Sequence, residues 1–117
     1  MASLNMNGPY ELTTSKINAV VTRTSAGNYA LGYVNSDNVF IVKYVGRSDS
    51  DVGARLKQHV GEYKSFKYSY APSSKAAFEK ECINYHDFGE SKKLDNSIHP
   101  DRPKGTYWTC PRCNIFG

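Results

Sequence analysis

The chain has 117 residues, 39% of them hydrophobic, which is enough for one domain with a modest core. Its formal net charge of +4 permits an anionic partner but does not by itself indicate one. No run is long and apolar enough to span a membrane, and the first residues lack the apolar core of a signal peptide, so the sequence holds no evidence for secretion. The three cysteines, two of them in a CxxC, argue against a complete disulfide framework and for the cytoplasm or another reducing compartment.

The first half of the chain predicts a lead-in followed by a β-hairpin. Residues 1–26 are polar at first and then show weak helical spacing of their apolar residues. The segments GNYALGYV and VFIVKYV flank NSDN, whose Asn and Asp are typical of a turn, so we expect strands over residues 27–34 and 39–45. The second strand is apolar almost throughout, which predicts a central strand covered on both faces.

The second half alternates between helical and strand patterns. Apolar residues recur every four positions after residue 50 and predict a helix over residues 51–62. SFKYSYA alternates and predicts a third strand over 65–71, and PSSKAAFEKECINYHDF, with its serine caps, predicts a helix over 74–87. The order β-β-α-β-α predicts an α+β fold in which helices flank a three-stranded antiparallel sheet.

The second predicted helix has a glutamate on its apolar side. At about 100° per residue, Glu79 falls between Cys82 and Ile83, whereas Glu81 falls on the opposite, polar side. A carboxylate on a buried side needs a partner. Glu79 is therefore half of a buried ion pair, a residue at the solvent edge, or a catalytic or metal-binding carboxylate.

Arginine and histidine lie close together on the first predicted helix. Arg55 and His59 are four residues apart and flank its apolar stripe. The fork of an arginine matches phosphate oxygens, and a histidine exchanges protons near neutral pH, although a solvated helix face has the same pattern. Tyr29 and Tyr44 lie in the hairpin strands, where tyrosines usually serve packing.

Together these segments resemble a known nuclease family. GNY, YVG, RLKQH and AFEKECI, followed by a later Asn, are similar in order and spacing to the GIY-YIG nucleases, which include the N-terminal nuclease of a DNA excinuclease and several homing endonucleases. The resemblance implies a GIY-YIG-like α/β sandwich over residues 27–99, and we expect the tail, residues 100–117, to pack on it. Asn28 departs from the family, which prefers an apolar residue there.

The resemblance also implies an activity. It implies a divalent-metal-dependent endonuclease that hydrolyses phosphodiester bonds in nucleic acid, with DNA as the expected substrate. The catalytic positions that it implies are Tyr29, Tyr44, Arg55, His59, Glu79 and Asn96. Glu79 would hold Mg²⁺ or Mn²⁺, Arg55 would stabilise the charge of the transition state, and a tyrosine with His59 would assist the water. The expected contacts to the nucleic-acid backbone are Lys43, Arg47 and Lys57. A catalytically weak nucleic-acid-binding module, or a protein-interaction module, on the same fold is the alternative.

The CPRC segment near the end of the chain is half of a zinc site. Cys82 and His86 are four residues apart on one helix face, so with Cys110 and Cys113 they complete a Cys₃His set if the tail folds back onto that helix. Structural Zn²⁺ is one prediction for these residues. The other is a core position for Cys82 and a reduced surface turn at CPRC.

Overall fold

The structure is a computed structural model that describes Leu4, residues 6–96, Pro100, Thr106 and residues 108–111. Its described elements, in chain order, are β1 (Asn7–Glu11), α1 (Thr14–Val20), β2 (Gly27–Val34), β3 (Phe40–Ser48), α2 (Val52–Lys57), β4 (Ser65–Tyr70), α3 (Ser74–Asp87) and α4 (Glu90–Lys93). Among the described residues, no helix has both the length and the apolarity that crossing a membrane requires.

The sheet has four antiparallel strands in the order β1-β4-β2-β3. The α+β class is confirmed, but the predicted three-stranded sheet lacks one strand. Part of the lead-in forms β1, in which Tyr10 lies opposite Phe66 of β4. The lead-in also contains α1, whose N-cap Thr13 accepts a hydrogen bond from the backbone of Lys16.

The apolar strand β3 lies at an edge of the sheet, so the prediction that it is central is wrong. Its apolar residues are covered by packing against α3 and the segment after it, because Val45 belongs to one cluster with Tyr85 and Leu94. Its open edge is also partly covered, since Asn96 hydrogen-bonds the backbone of Val45 and Asp95 donates its backbone N–H to the carbonyl of Lys43. Covering in this way lets an apolar strand occupy an edge.

The helices pack on both faces of the sheet. Leu31 of β2 belongs to one cluster with Ile17 of α1 and Leu56 of α2, whereas its neighbour Ala30 belongs to the cluster that contains Tyr85 of α3. Adjacent strand residues point to opposite faces. Helices α1 and α2 therefore cover one face, and α3 covers the other.

Helix α2 is shorter than the sequence predicts. Asp51 caps its start by accepting a hydrogen bond from the backbone of Ala54, but the helix ends at Lys57. Gly61 then has a φ of 93°, a conformation that other residues rarely adopt, and the chain turns. Val60 is consequently 38% exposed instead of continuing the buried stripe.

Candidate functional site

A cavity of about 360 Å³ opens near the end of strand β3. Its lining comes from β2, β3, the loop after β3, α2 and α3, and comprises Tyr29, Tyr44, Gly46, Arg47, Ser48, Asp49, Ser50, Arg55 and Glu81. Cations, carboxylates, hydroxyl groups and two tyrosines therefore meet at one opening.

A glycine in β3 makes room for the buried tyrosine of the cavity. Tyr29 lies directly opposite Gly46 in the β2–β3 pair, and its side chain is almost completely buried. A Cβ atom at position 46 would overlap the ring and the hydroxyl of Tyr29. The glycine of YVG is thus required by the close approach of an aromatic ring, and it lets Tyr29 reach the cavity.

Tyr29 is hydrogen-bonded to His59. Its Oη lies 3.0 Å from Nε2 of the imidazole. The His59 ring is 5.4 Å, between ring centroids, from both Tyr29 and Tyr44. Burial raises the pKa of Tyr29 well above its ordinary value, and the adjacent Arg55 opposes that rise. Tyr29 therefore keeps its proton at neutral pH, and its hydroxyl lies within hydrogen-bond distance of the His59 imidazole.

Arg55 lies on the exposed side of α2 at the mouth of the cavity. Its Nη1 donates to Oε1 of Gln58 at 3.2 Å. Contact with Tyr29 raises the pKa of Arg55, and burial acts weakly in the opposite direction. The guanidinium is therefore charged, lies beside the tyrosine hydroxyl and has donors available to an anionic ligand.

The buried carboxylate of the cavity is Glu81. Its Oε1 accepts a hydrogen bond of 2.6 Å from Nη1 of Arg47, and the same arginine donates Nε to Oδ1 of Asp49 at 3.0 Å. Burial raises the pKa of Glu81 to about 7, although the nearby Arg47 acts against the rise. Burial alone would lower the pKa of Arg47, but Glu81 and Asp49 raise it. The guanidinium also lies over the ring of Phe78, at 5.3 Å from its centroid, so Arg47 is held on three sides.

Glu79, the predicted metal ligand, does not line this cavity, whereas Glu81 does. The buried residues of α3 are Ala77, Phe78, Glu81, Cys82, Asn84 and Tyr85. This arc is rotated by about 100°, one residue, from the arc expected from the sequence. The apolar residues of α3 are spread around the helix, and the polar residues Glu81 and Asn84 lie inside the buried arc. The pattern of polar and apolar residues therefore predicted, wrongly, that Glu81 lies on the exposed side of the helix.

Asn96, expected in the catalytic set, lies outside the cavity. Its amide nitrogen donates to the carbonyl of Val45 at 2.8 Å, and its amide oxygen accepts from the N–H of Val45 at 2.9 Å. The buried side chain therefore takes the place of a neighbouring strand. Val45 lies between the cavity residues Tyr44 and Gly46. Asn96 therefore stabilises the segment of β3 that lines the cavity without lining the cavity itself.

The three expected nucleic-acid contacts have different surroundings. Lys57 is exposed on α2 and lines a hollow between α1 and α2, and Lys43 is half-buried in β3. Arg47 is engaged by Glu81 and Asp49, and its expected contact with nucleic acid stays a prediction.

The structure brings together two of the four predicted zinc ligands. Cys82 and Cys110 are both buried, and they form a cluster with Phe78 and Trp108 in which Trp108 and Cys110 pack on α3. Burial raises the pKa of the Cys82 thiol, and contact with Cys110 adds to the rise. Nδ1 of His86 instead pairs with Glu90 at 2.6 Å. Cys113 lies outside the described residues, so the four-ligand zinc site stays a prediction.

The carboxylates that line the cavity are those of Glu81 and Asp49. In the part of the chain that the structure describes, no three His, Cys, Asp or Glu side chains cluster so as to hold a metal ion. Mg²⁺ usually keeps several waters and is bound through one or two carboxylates together with substrate phosphates. Glu81 supplies one such carboxylate, and Asp49 lines the same opening.

Glu81 and Asp49 are site residues that the sequence motifs did not indicate. A signal for Glu81 was present, because Ala77, Glu81 and Tyr85 are spaced by four residues and share one stripe of α3. Asp49 lies in the loop after β3. The loop has no helical or strand periodicity, so its sequence does not indicate the direction of the Asp49 side chain.

Comparisons with protein-family models, with curated proteins and with solved structures found no match for this chain. Its function is therefore inferred from the geometry and chemistry of the cavity.

Proposed function

We propose that this chain is a divalent-metal-dependent endonuclease that hydrolyses phosphodiester bonds in DNA. One observation supports the proposal above all others. Tyr29, Tyr44 and Arg55, three residues implied by the resemblance to GIY-YIG nucleases, line one cavity together with the carboxylate of Glu81. These four residues come from four different elements, β2, β3, α2 and α3. Their proximity therefore depends on the fold and is independent of the short motifs that suggested the family.

In this proposal Arg55 binds the scissile phosphate. Its guanidinium is charged and lies at the mouth of the cavity, where its fork can donate to two phosphate oxygens. Interactions that strengthen as negative charge accumulates on the phosphoryl group lower the barrier of the reaction. Arg55 therefore acts on both binding and rate.

Tyr29 and His59 handle the proton of the attacking water. Tyr29 keeps its own proton, because burial raises its pKa. As its oxygen takes a proton from water, its hydroxyl proton passes to Nε2 of His59 over the existing 3.0 Å contact. The water oxygen then forms the new bond to phosphorus while the ester P–O bond breaks, and the leaving oxygen keeps the electron pair of that bond. Because the transfer from water to Tyr29 accompanies the transfer from Tyr29 to His59, Tyr29 does not have to form a free phenolate.

Glu81 would hold the divalent cation, with Asp49 near it. A bound Mg²⁺ or Mn²⁺ would supply positive charge against the phosphate oxygens and the leaving oxygen. The ion pair with Arg47 fixes the position of the Glu81 carboxylate on α3. In the proposed enzyme Arg47 is therefore a structural partner of the carboxylate.

A panel of labelled DNA and RNA substrates, single-stranded, duplex and branched, tests the proposal. We expect cleavage of at least one DNA substrate with Mg²⁺ or Mn²⁺ and none with EDTA. Arg55→Ala should lower kcat by about 10²-fold, and Arg55→Lys should recover little, since it keeps the charge but loses the fork. Failure to cleave any substrate with either metal, or cleavage that EDTA leaves unchanged, would contradict the proposal. Cleavage of RNA alone would show that the substrate is RNA instead of DNA.

A second candidate is a nucleic-acid-binding module without catalysis. The observation that favours it is the contact of 2.6 Å between Arg47 and Glu81, whose side chains are only 13% and 11% exposed. A carboxylate fully occupied by an arginine would not admit a divalent cation. In that case the protein binds labelled DNA with the same affinity in EDTA and in Mn²⁺ and cleaves none of it.

A further inference from the structure

A chain of hydrogen bonds leads from the cavity to a residue that no motif indicated. Tyr29 Oη lies 3.0 Å from Nε2 of His59, and Nδ1 on the other side of the imidazole lies 3.0 Å from Oε1 of Glu62. Glu62 itself is not a cavity residue but lines a separate hollow beside Tyr63. Its only route to the cavity among these contacts is through His59.

The backbone holds Glu62 against the imidazole. The N–H of Glu62 donates to the carbonyl of His59 at 3.0 Å, which closes a four-residue turn. Gly61 is the third residue of that turn and has the positive φ that a type II turn requires at this position. The His59 ring is 14% exposed and is held by the rings of Tyr29 and Tyr44. Both the position of the ring and that of its carboxylate partner are thus fixed by the fold.

The chemistry of the two partners determines where the imidazole carries its proton. A neutral imidazole has one N–H, and an ionised carboxylate only accepts hydrogen bonds. A neutral His59 therefore donates its Nδ1–H to Glu62, and Nε2 has a free lone pair that faces the hydroxyl of Tyr29. With the opposite tautomer, Nε2 would carry a proton and could not receive one from Tyr29.

We propose that Glu62 is a positioning residue that holds His59 in the Nδ1–H tautomer, so that Nε2 is free to accept the Tyr29 proton. The proposal rests on the nuclease function, because the reaction gives this proton its destination. Glu62 is 55% exposed, and exposed ion pairs contribute little to stability. Its role is consequently visible in the rate and in the tautomer, and the fold does not depend on it.

Two substitutions at one position separate positioning from mere support. Glu62→Gln places an amide beside Nδ1, and its N–H₂ can donate to that nitrogen and stabilise the Nε2–H tautomer. We expect kcat to fall by about 10- to 100-fold with KM unchanged. Glu62→Ala leaves Nδ1 to water and should lower kcat less. A supporting role for Glu62 would give the reverse order, since glutamine keeps the size of the side chain.

The matched control is a second histidine–glutamate pair away from the cavity. Nδ1 of His86 lies 2.6 Å from Oε2 of Glu90, and neither residue lines the site. Glu90→Gln therefore makes the same chemical change without touching the proposed relay. It should leave kcat unchanged.

Nitrogen-15 chemical shifts of the His59 ring test the proposal without any cleavage assay. At a pH where the imidazole is neutral, we expect protonated Nδ1 in the wild-type protein, a shift toward Nε2–H in Glu62→Gln, and no change at His59 in Glu90→Gln. A wild-type ring protonated on Nε2, or an unchanged tautomer in both Glu62→Gln and Glu62→Ala, would overturn the role of Glu62. A protein that cleaves nothing but shows the expected tautomers would contradict the nuclease function and leave the hydrogen-bond assignment standing.

Discussion

Replacing Glu81 by glutamine is expected to make the stability of the protein depend less on pH. Burial raises the pKa of this carboxyl from 4.5 to about 7 in the folded chain. Below about pH 4.5 the carboxyl is protonated in both the folded and the unfolded chain, so folding does not bury an ionised carboxylate. Between about pH 4.5 and 7 the unfolded chain ionises the carboxyl while the folded chain keeps it protonated, so stability falls with rising pH until the folded chain ionises as well. At 1.36 kcal/mol for each pKa unit, the loss is about 3 kcal/mol.

Urea unfolding at about pH 4.5 and pH 8 measures this loss. Because glutamine is neutral at both pH values, the free energy of unfolding of the wild type minus that of Glu81→Gln should fall by about 3 kcal/mol between them. Arg47→Gln removes the cation that opposes the rise and should steepen the fall. A wild-type advantage that grows with pH would show that the ion pair outweighs burial, and the assigned pKa direction would be wrong.

Three further predictions concern the frame of the site. Gly46→Ala places a Cβ against the buried ring of Tyr29 and should lower the free energy of unfolding by about 1–3 kcal/mol; an unchanged thermal midpoint would contradict the close approach. Asn96→Ala leaves the N–H and C=O of Val45 without these partners and should lower the free energy of unfolding in urea by about 2 kcal/mol or more. Asn96→Asp should not restore the bond to the Val45 carbonyl, because a carboxylate has no N–H to donate. Gly61→Ala meets no neighbour within 4 Å but needs a positive φ, so a loss of about 1–2 kcal/mol without any change in packing is expected, and a stabilised variant would show that the turn relaxes easily.

Local patterns predicted the elements whose residues carry strong signals. The hairpin β2–β3 followed from two apolar runs around NSDN, β4 from its alternation, and α3 from Ser73, which caps it through the backbone of Ala76. Strand β1 gave no such signal. NGPYE is short and contains Gly8 and Pro9, and it becomes a strand by pairing with β4. The edge position of β3 was equally hidden, because the residues that cover it lie about fifty positions later.

The residues of the candidate site likewise fall into those that the sequence predicted and those that it did not. Tyr29, Tyr44 and Arg55 follow from short motifs, and the fold brings them to one cavity with His59 against its wall. Glu81 did not follow, because the rotation of α3 is set by its packing on the sheet, and a polar residue inside the buried arc changes the apparent polar side. The partners of Arg47 lie in a loop and on a helix, so no sequence pattern predicts that it is paired.

In the proposed nuclease, phosphodiester hydrolysis depends on the carboxylate of Glu81. The most direct measurement is single-turnover cleavage of the best DNA substrate in Mn²⁺ by Glu81→Gln and by Glu79→Gln, which lies two residues away on the same helix and outside the cavity. Folding of each variant is checked by its unfolding midpoint. We expect a loss of about 10²-fold or more for Glu81→Gln and wild-type rates for Glu79→Gln. Equal rates for the two variants, or a loss at Glu79 alone, would contradict this dependence on Glu81.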